Sequence, residues 1–372
     1  MEKFKPNLEY FSLPKSNFFN NLVLSKYDFS PTELYSKTPC IYISPKTDEI
    51  DKNLIRKCIK EKFVFLKDDL VSKISNGELK EKEQKKLHNE IETLTKEGFS
   101  LSIIYGTYPT IFGENESLSK PLVEFLKNTK LDIKFLTFPG EYFANPIWAD
   151  KPRRTRILAS QQITIKQRFL EGLNEKEIFD YFQNSIPSSA SAYLSKYPIT
   201  IQSNNLASGI EKIIYCCPHC KNLFSVYSEF SCLKCKDCGM VVEFSPEGTI
   251  LFSKELSSFD QIENFQLNNL LRKDLTINQL AEYKNIIQNI SENCKKTIKI
   301  NVILQIYAEK LIIKNSLTKK QTSIYFEDID FIEYFKNNTV KFKTKNAKEF
   351  CFTGNSNENF YIFKDLIKLN KN

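Results

Sequence analysis

This chain of 372 residues lacks most of the features that assign a function at first sight. It has two histidines and one tryptophan, and none of its apolar runs approaches the roughly twenty residues of a membrane-spanning helix. Its first residues, Met1 to Pro6, contain no apolar core of a signal peptide. We therefore expect a cytoplasmic protein. This expectation is compatible with peripheral association at the inner face of the cell membrane.

Negative charge is also in the minority. The chain has 53 lysines and arginines against 45 aspartates and glutamates, which gives a net charge of +8 and a pI of about 8.8. A basic protein favours an anionic partner, either a phospholipid surface or a nucleic acid. Arginine is scarce beside lysine, however, and proteins that recognise bases use arginine for paired hydrogen bonds. Composition therefore favours an anionic lipid or membrane surface over nucleic acid.

Cysteine, by contrast, is well represented, with ten in the chain. Two Cys-x2-Cys motifs stand fourteen residues apart, Cys217-Pro-His-Cys220 and Cys235-Lys-Asp-Cys238. This spacing is typical of a zinc ribbon, in which each motif forms a tight turn and the thiolates surround one Zn²⁺. Gly239 follows the second motif, where a left-handed residue is needed. A closed set of thiolates leaves no free coordination position, so we expect a structural zinc ion.

Two alternatives to this metal site stay open from the sequence. The thiols can remain reduced without a metal, or they can form redox disulfides. Cys216 and Cys232 lie close enough to the motifs to compete as ligands. His219 stands between two of the cysteines, and we interpret it as a solvent-facing turn residue.

The first two hundred residues alternate short apolar strands with amphipathic helices. Predicted strands cover residues 40–44, 101–105 and 133–138, and predicted helices cover 51–63 and 80–97, with another beginning after Ser119. An alternation of this kind favours a mostly parallel sheet covered by helices. The sequence thus predicts an α/β domain over residues 1–205.

Three further segments follow this domain. The ribbon covers residues 206–252, and a helical segment over 253–295 contains helices that begin at Ser258 and Thr276. Over residues 296–372 apolar residues alternate with polar ones, and a helix closes the chain. Antiparallel strands followed by one helix look like a small β-barrel of the pleckstrin-homology or GRAM type.

Three collinear segments between residues 39 and 272 resemble a known family. They are Pro139 through Asp150 with the arginines that follow, Asn205 through Tyr215 before the first cysteine motif, and Ser258 through Gln266 after the ribbon. These segments are similar to a bacterial branch of the lysophospholipid (1-acylglycerol-3-phosphate) acyltransferases that has a zinc ribbon after the acyltransferase domain. The resemblance implies an acyltransferase-like fold for residues 1–205 and a role in phospholipid metabolism.

The catalytic motifs of that family are degenerate here. Its first motif, Asn-His-x4-Asp, uses histidine as the general base. The matching aspartate here is Asp51, and the histidine position is occupied by Lys46, or by Pro45 if one residue is inserted, so there is no histidine. Its second motif, Phe-Pro-Glu-Gly-Thr-Arg, matches only in part, at Tyr105 and Gly113. The resemblance therefore implies a lipid-binding pseudoenzyme or an enzyme with weak activity. An active enzyme would take its acyl group from acyl carrier protein, acyl-CoA or an acyl phosphate.

The arginines after the first of these segments are a candidate substrate site. Arg153, Arg154 and Arg156 are half of all the arginines in the chain, and guanidinium groups match phosphate oxygens. Trp148 stands nearby, and tryptophan is suited to a lipid interface. The alternative is a basic surface turn without a ligand. A zinc-ribbon protein that binds nucleic acid or another protein is the competing function.

Overall fold

The computed structural model describes most of the chain. The described residues are 10–12, 28–30, 34, 36–45, 51–106, 113, 117–138, 140–158, 160–185, 199–248, 259–272, 279–292, 296–335, 337–355 and 358–371. The chain divides into two compact units, one made of Met1–Ala144 with Arg153–Gln202 and the other of Asn145–Pro152 with Ser203–Asn372. The first unit is therefore interrupted in sequence, unlike the continuous domain predicted over residues 1–205.

The first unit contains nine strands and seven helices among its described residues. The strands are β1 (Phe11–Ser12), β2 (Asp28–Ser30), β3 (Ile41–Pro45), β4 (Phe63–Leu66), β5 (Ser100–Tyr105), β6 (Ile133–Thr137), β7 (Arg154–Leu158), β8 (Ser160–Ile165) and β9 (Ile201–Gln202). The helices are α1 (Asp51–Cys58), α2 (Asp68–Ser75), α3 (Glu81–Lys96), α4 (Lys120–Asn128), α5 (Glu141–Ala144), α6 (Gln167–Leu170) and α7 (Glu175–Ser185). Ser119 caps α4, as predicted, by accepting a hydrogen bond from the amide of Leu122.

Six of these strands form one mixed sheet in the order β1-β4-β5-β3-β6-β8. Strands β4, β5, β3 and β6 run parallel to one another, whereas β1 and β8 are antiparallel to their neighbours at the two edges. Parallel neighbours need crossover connections, and helices α1 to α4 supply them. A smaller sheet has the order β2-β7-β9. The predicted parallel core is present, and the antiparallel edge strands are an addition to it.

Both faces of the mixed sheet are covered. Ile41 and Ile43 of β3 belong to one core cluster together with Leu122 of α4. The residue between them, Tyr42, belongs to a second cluster together with Ile55 of α1. Successive strand residues point to opposite faces, so the helix that follows β3 and the helix that follows β5 lie on opposite faces of the sheet.

One predicted helix is too long. The sequence predicts a helix over residues 51–63, but α1 ends at Cys58 and β4 begins at Phe63. All the residues of β4 are buried, because the strand is covered on both faces. A short, continuously apolar segment has no alternation, and a helix and a strand cannot be told apart in it by periodicity.

The second unit contains ten strands and two helices among its described residues. The strands are β10 (Val226–Glu229), β11 (Cys232–Cys235), β12 (Val241–Glu243), β13 (Ala281–Glu292), β14 (Lys296–Ile306), β15 (Lys310–Asn315), β16 (Gln321–Tyr325), β17 (Ile329–Phe335), β18 (Thr339–Thr344) and β19 (Glu349–Thr353). The helices are α8 (Phe259–Arg272) and α9 (Ile362–Lys371).

Two antiparallel sheets make up this unit. The ribbon sheet has the order β10-β11-β12, and a seven-stranded sheet has the order β16-β15-β14-β13-β19-β18-β17. Helix α9 buries Ile362, Phe363 and Leu366, and the side chain of Asn359 accepts a hydrogen bond from its first amide at 3.2 Å. The antiparallel strands and the closing helix predicted at the end of the chain are therefore present.

The second helix of the predicted helical segment is wrong. The sequence predicts a helix from Thr276 to Ile290, whereas residues 281–292 form β13, a central strand of the seven-stranded sheet. The register against β14 shifts between Tyr283 and Ile286, so one extra residue is inserted and both side chains are buried on the same face. This β-bulge produces an apolar spacing of three, which imitates the spacing of a helix.

Candidate metal centre

Two tight turns bring the cysteine pairs of the ribbon together. The amide of Lys221 donates to the carbonyl of Cys217 at 3.0 Å, and the amide of Gly239 donates to the carbonyl of Cys235 at 3.2 Å. Lys221 and Gly239 both have a left-handed backbone, with φ of 64° and 70°. The sequence predicts this conformation at Gly239. Lys221 holds the same place after the first motif, but its positive φ could not be predicted from the sequence, because lysine rarely adopts this conformation.

The four sulfur atoms of these turns form a compact group. The Sγ atoms of Cys217, Cys220, Cys235 and Cys238 all lie within 4.8 Å of one another. Cys217 and Cys238 are separated by 3.8 Å, and Cys220 and Cys235 by 3.7 Å. A tetrahedral ion with metal–sulfur bonds of about 2.3 Å separates its ligands by about 3.8 Å. The four cysteines that the two motifs select can therefore hold one metal ion.

The neighbouring cysteines and the histidine are outside this group. Cys216 is fully buried, and its Sγ lies 3.5 Å from the carbonyl oxygen of Lys221. Cys232 lies on β11 opposite Glu229 of β10, and His219 is exposed. Within the described ranges, the four-cysteine group is the one set of Cys, His, Asp and Glu side chains close enough to hold a metal ion.

The thiols of the group differ in acidity. Burial raises the pKa of Cys235, but the Ser225 hydroxyl, 3.4 Å from its sulfur, and the backbone amides of Cys238 and Asp237 outweigh burial and lower this pKa to about 6. Burial raises the pKa of Cys217 well above its ordinary value. A metal ion that binds these four sulfurs as thiolates therefore displaces protons from the group.

An ion pair between the buried Lys212 and the exposed Asp150 anchors the segment that leads into the ribbon. Lys212 is 9% exposed, and its Nζ donates to Asp150 Oδ1 at 2.5 Å and to the carbonyl of Trp148 at 3.4 Å. Asp150 also accepts from the Ser208 hydroxyl at 2.7 Å. Burial raises the pKa of Asp150, but the hydrogen bonds from Lys212 and Ser208 outweigh it and lower this pKa. These contacts make residues 145–152 part of the unit that contains the ribbon.

The predicted arginine site does not form a single exposed cluster. Arg153 is buried, with 6% of its surface exposed, whereas Arg154 on β7 is exposed. The side chain of Arg156 lies outside the described residues. Trp148 is 2% exposed and packs edge-on against Phe244, with ring centroids 6.1 Å apart. The predicted interfacial role of Trp148 is therefore wrong, because its indole ring is part of the core.

Of the degenerate catalytic positions, Tyr105 lies at the carboxyl end of a parallel strand. Tyr105 is the last residue of β5, is 2% exposed and stands opposite Pro45, the last residue of β3. Lys46 follows Pro45 but lies outside the described residues, and Asp51 begins α1. Gly113 has a left-handed φ of 80°. The carboxyl ends of β3 and β5 therefore lie side by side in the sheet.

The turn between β15 and β16 is a feature that the sequence does not single out. Leu317 in this turn is 86% exposed. Asn315 Oδ1 accepts from the amides of Leu317 and Thr318, each at 2.9 Å, and the Asn315 amide donates to the carbonyl of Lys320 at 2.9 Å. Lys319 and Lys320 are exposed. Asparagine side chains commonly accept hydrogen bonds from the backbone amides of a turn. Asn315 is therefore the residue by which the sequence could have located this turn.

No protein-family model and no curated protein matches the chain. Solved structures with partial similarity include the C-terminal domain of an unknown protein from Leishmania infantum, at 17% identity over 21% of this chain and 70% of that one (TM-score 0.18). The Inner Membrane Complex sub-compartment protein 3 of Toxoplasma gondii matches at 14% identity over 28% and 86% (TM-score 0.21). The N-terminal PH domain of human ARAP2 matches at 9% identity over 24% and 77% (TM-score 0.20). At these TM-scores the similarities carry no argument about this chain.

In the part of the chain that the structure describes, no helix is both long enough and apolar enough to cross a bilayer.

Proposed function

We propose that the protein binds an anionic lipid surface and that a structural zinc ion stabilises the unit responsible for this binding. The observation that carries the lipid part is the turn of Leu317, which is 86% exposed beside exposed lysines. A single exposed leucine is common on protein surfaces and means little alone. Here the amides of Leu317 and Thr318 donate hydrogen bonds to Asn315 Oδ1, which orders the turn, and the exposed Lys319 and Lys320 follow the leucine.

The magnitudes favour weak, salt-sensitive binding. Burying one leucine contributes about 1.5–3 kcal/mol. A lysine near an anionic membrane contributes about 1 kcal/mol. Lys314, Lys319 and Lys320 lie in or beside the turn, and the exposed Lys299 lies on β14, which extends past the end of β15. Together these terms reach roughly 6 kcal/mol, which corresponds to a dissociation constant in the range of tens of micromolar.

Vesicle sedimentation tests this proposal. The protein is mixed with vesicles of phosphatidylcholine, with and without phosphatidylserine, at low and high salt. We expect binding only with phosphatidylserine, weakened by salt and by Leu317→Ser combined with Lys319→Glu and Lys320→Glu. Lys82→Glu with Lys85→Glu on α3 is the charge-matched control, and it should retain more of the binding. Equal loss in the control would mean that net charge alone is responsible.

The zinc part of the proposal is supported by the sulfur separations of 3.7 and 3.8 Å. Four sulfur ligands in a tetrahedron suit zinc or iron, and elemental analysis of the purified protein separates the two metals. We expect about one zinc per chain, lost in Cys217→Ser and Cys238→Ser because each removes a ligand. Cys216→Ser and Cys232→Ser should retain the metal. Since a four-thiolate site has no open coordination position, the ion contributes stability and no catalysis.

An acyltransferase-like crevice is the second candidate. In open α/β sheets, ligands bind at the carboxyl ends of strands whose following helices lie on opposite faces. Strands β3 and β5 meet this condition, which supports the resemblance to lysophospholipid acyltransferases. The family's histidine is absent, and a positioned general base contributes about 10²–10⁴-fold to the rate. We expect acylation of lysophosphatidate near background, and robust turnover would contradict the pseudoenzyme interpretation.

A further inference from the structure

The backbone just before the first cysteine motif is held by a side chain from a distant helix. Gln266 lies on α8 and is fully buried. Its Oε1 accepts hydrogen bonds from the amides of Tyr215 at 2.6 Å and Cys216 at 3.2 Å. Its Nε2 donates to the carbonyl of Ile213 at 3.2 Å. The carboxamide oxygen of Gln266 can accept two hydrogen bonds, and it accepts both from the two residues that precede Cys217.

A second set of contacts joins the same segment to α9 and to the seven-stranded sheet. The Tyr215 hydroxyl donates to Asp365 Oδ2 at 2.6 Å, and both residues are buried. Asn359 Nδ2 donates to the carbonyl of Glu211 at 2.8 Å. The Tyr283 hydroxyl of β13 donates to the carbonyl of Asn359 at 3.0 Å. The segment that leads to Cys217 is thus hydrogen-bonded to residues that are far away in the sequence.

We propose that Gln266 is a positioning residue of the metal site and that metal binding and the packing of α8 are thermodynamically coupled through it. The inference rests on the proposed metal binding. The Cys217 turn starts directly after the two amides that donate to Gln266, because the next amide, that of Cys217, donates to the Asn222 carbonyl at 2.9 Å. The position of Cys217 Sγ therefore depends on the backbone that Gln266 holds.

Loss of the Gln266 carboxamide would take a hydrogen-bond acceptor from the buried amides of Tyr215 and Cys216. A buried amide that loses its acceptor is costly, so the segment would move to regain hydrogen bonds. A metal site needs its ligand distances within about 0.2 Å, and a displaced Cys217 would not meet that requirement. Groups that orient metal ligands change metal affinity by about 10–100-fold. By reciprocity, bound metal stabilises the packing of α8 by the same factor.

The first test measures the zinc affinity of the full chain by competition with a chromophoric chelator. We expect Gln266→Leu to bind zinc about 10–100-fold more weakly than the wild type. The control is Asn269→Ala on the same helix, because the Asn269 side chain is also buried but its Nδ2 donates to the Phe265 carbonyl within α8. The control should stay within about threefold of the wild type, since it leaves the cysteine segment untouched.

The second test needs no variant and remains decisive if Gln266→Leu fails to fold. Hydrogen exchange of the wild type is compared with zinc bound and after zinc removal. We expect faster exchange in α8 after removal and unchanged exchange in α3 of the first unit. A wild type that binds no zinc overturns both this inference and the proposed metal site. Bound zinc with an unchanged Gln266→Leu affinity, or with unchanged exchange in α8, overturns the coupling alone.

Discussion

At the scale of single residues, the left-handed positions of the second unit differ in what surrounds them. Gly239 has φ of 70°, and a Cβ built there meets no atom within 4 Å. Gly209 has φ of 88°, and a Cβ built there would lie 2.2 Å from the carbonyl oxygen of Trp148. The first glycine is required by backbone conformation alone, and the second by conformation and by close contact with another backbone segment.

We therefore predict that Gly209→Ala destabilises the second unit far more than Gly239→Ala does. A left-handed alanine costs about 1–2 kcal/mol, which is the whole effect expected at Gly239. At Gly209 the clash with Trp148 adds to this cost, and backbone atoms cannot yield as a flexible side chain can. Urea denaturation of the two variants measures the difference. Equal losses of stability would show that the segment containing Trp148 moves away without cost.

Asp365 on α9 gives a prediction about pH. Burial raises its pKa to about 6, an effect that the hydrogen bond from Tyr215 and the charge of Lys364 reduce and that Glu263 reinforces. Between about pH 4 and pH 6 the folded protein therefore holds a proton that the unfolded chain has lost, so stability falls as pH rises through this window. Asp365→Asn removes the titrating group and keeps an acceptor for the Tyr215 hydroxyl.

We expect the variant to gain stability relative to the wild type as pH rises from 4 to 7, by up to about 3 kcal/mol. Denaturation of both proteins over this range measures the change in the difference between their unfolding free energies. Protonation of the metal ligands affects both proteins alike and cancels in that difference. A difference independent of pH would mean that Asp365 has an ordinary pKa.

At the scale of elements, strand β13 depends on its bulge. Asn285 lies inside the bulge with φ of 58° and is exposed. Asparagine tolerates this conformation, whereas a β-branched residue does not. The bulge places Tyr283 and Ile286 on the same buried face. Regular pairing without the bulge would expose one of these two side chains.

We predict that Asn285→Val destabilises the second unit by about 1–2 kcal/mol. The neighbouring variant Lys284→Val is the matched control, because Lys284 is also exposed on β13 but is not among the residues with a positive φ. Valine suits an extended strand, so this control should be close to neutral. Thermal or chemical denaturation measures both effects, and equal losses would contradict the role of the bulge.

At the scale of the whole molecule, metal removal should act on one of the two compact units. The four cysteines belong to the second unit, and the first has its own core on both faces of the mixed sheet. A ligand at about 1,000 times its dissociation constant stabilises the folded state by about 4 kcal/mol. We therefore expect a chelator to lower the midpoint temperature of one calorimetric transition and to leave that of the other unchanged. A common shift of both transitions would contradict independent stability of the units.

The sequence by itself determined the four cysteines of the candidate metal centre and the parallel core of the first unit. These four cysteines lie in two short motifs, and both turns depend on residues within the motifs and next to them. The β–α alternation was also readable, because apolar periodicity is a property of neighbouring residues. The sequence did not separate strand from helix at β4, where burial on both faces removed the alternation, or at β13, where a bulge changed the spacing.

Only the tertiary structure decided the surroundings of the site. Gln266 binds backbone some fifty residues away, and Asp365 receives a hydrogen bond from Tyr215 across an even longer stretch of sequence. Trp148 and Arg153 are buried although both stand in a segment rich in polar residues. Burial and hydrogen-bond partners of this kind depend on which distant segments pack together. Local spacing contains no information about that packing, so it identified the four cysteines but not the residues that hold their segment in place.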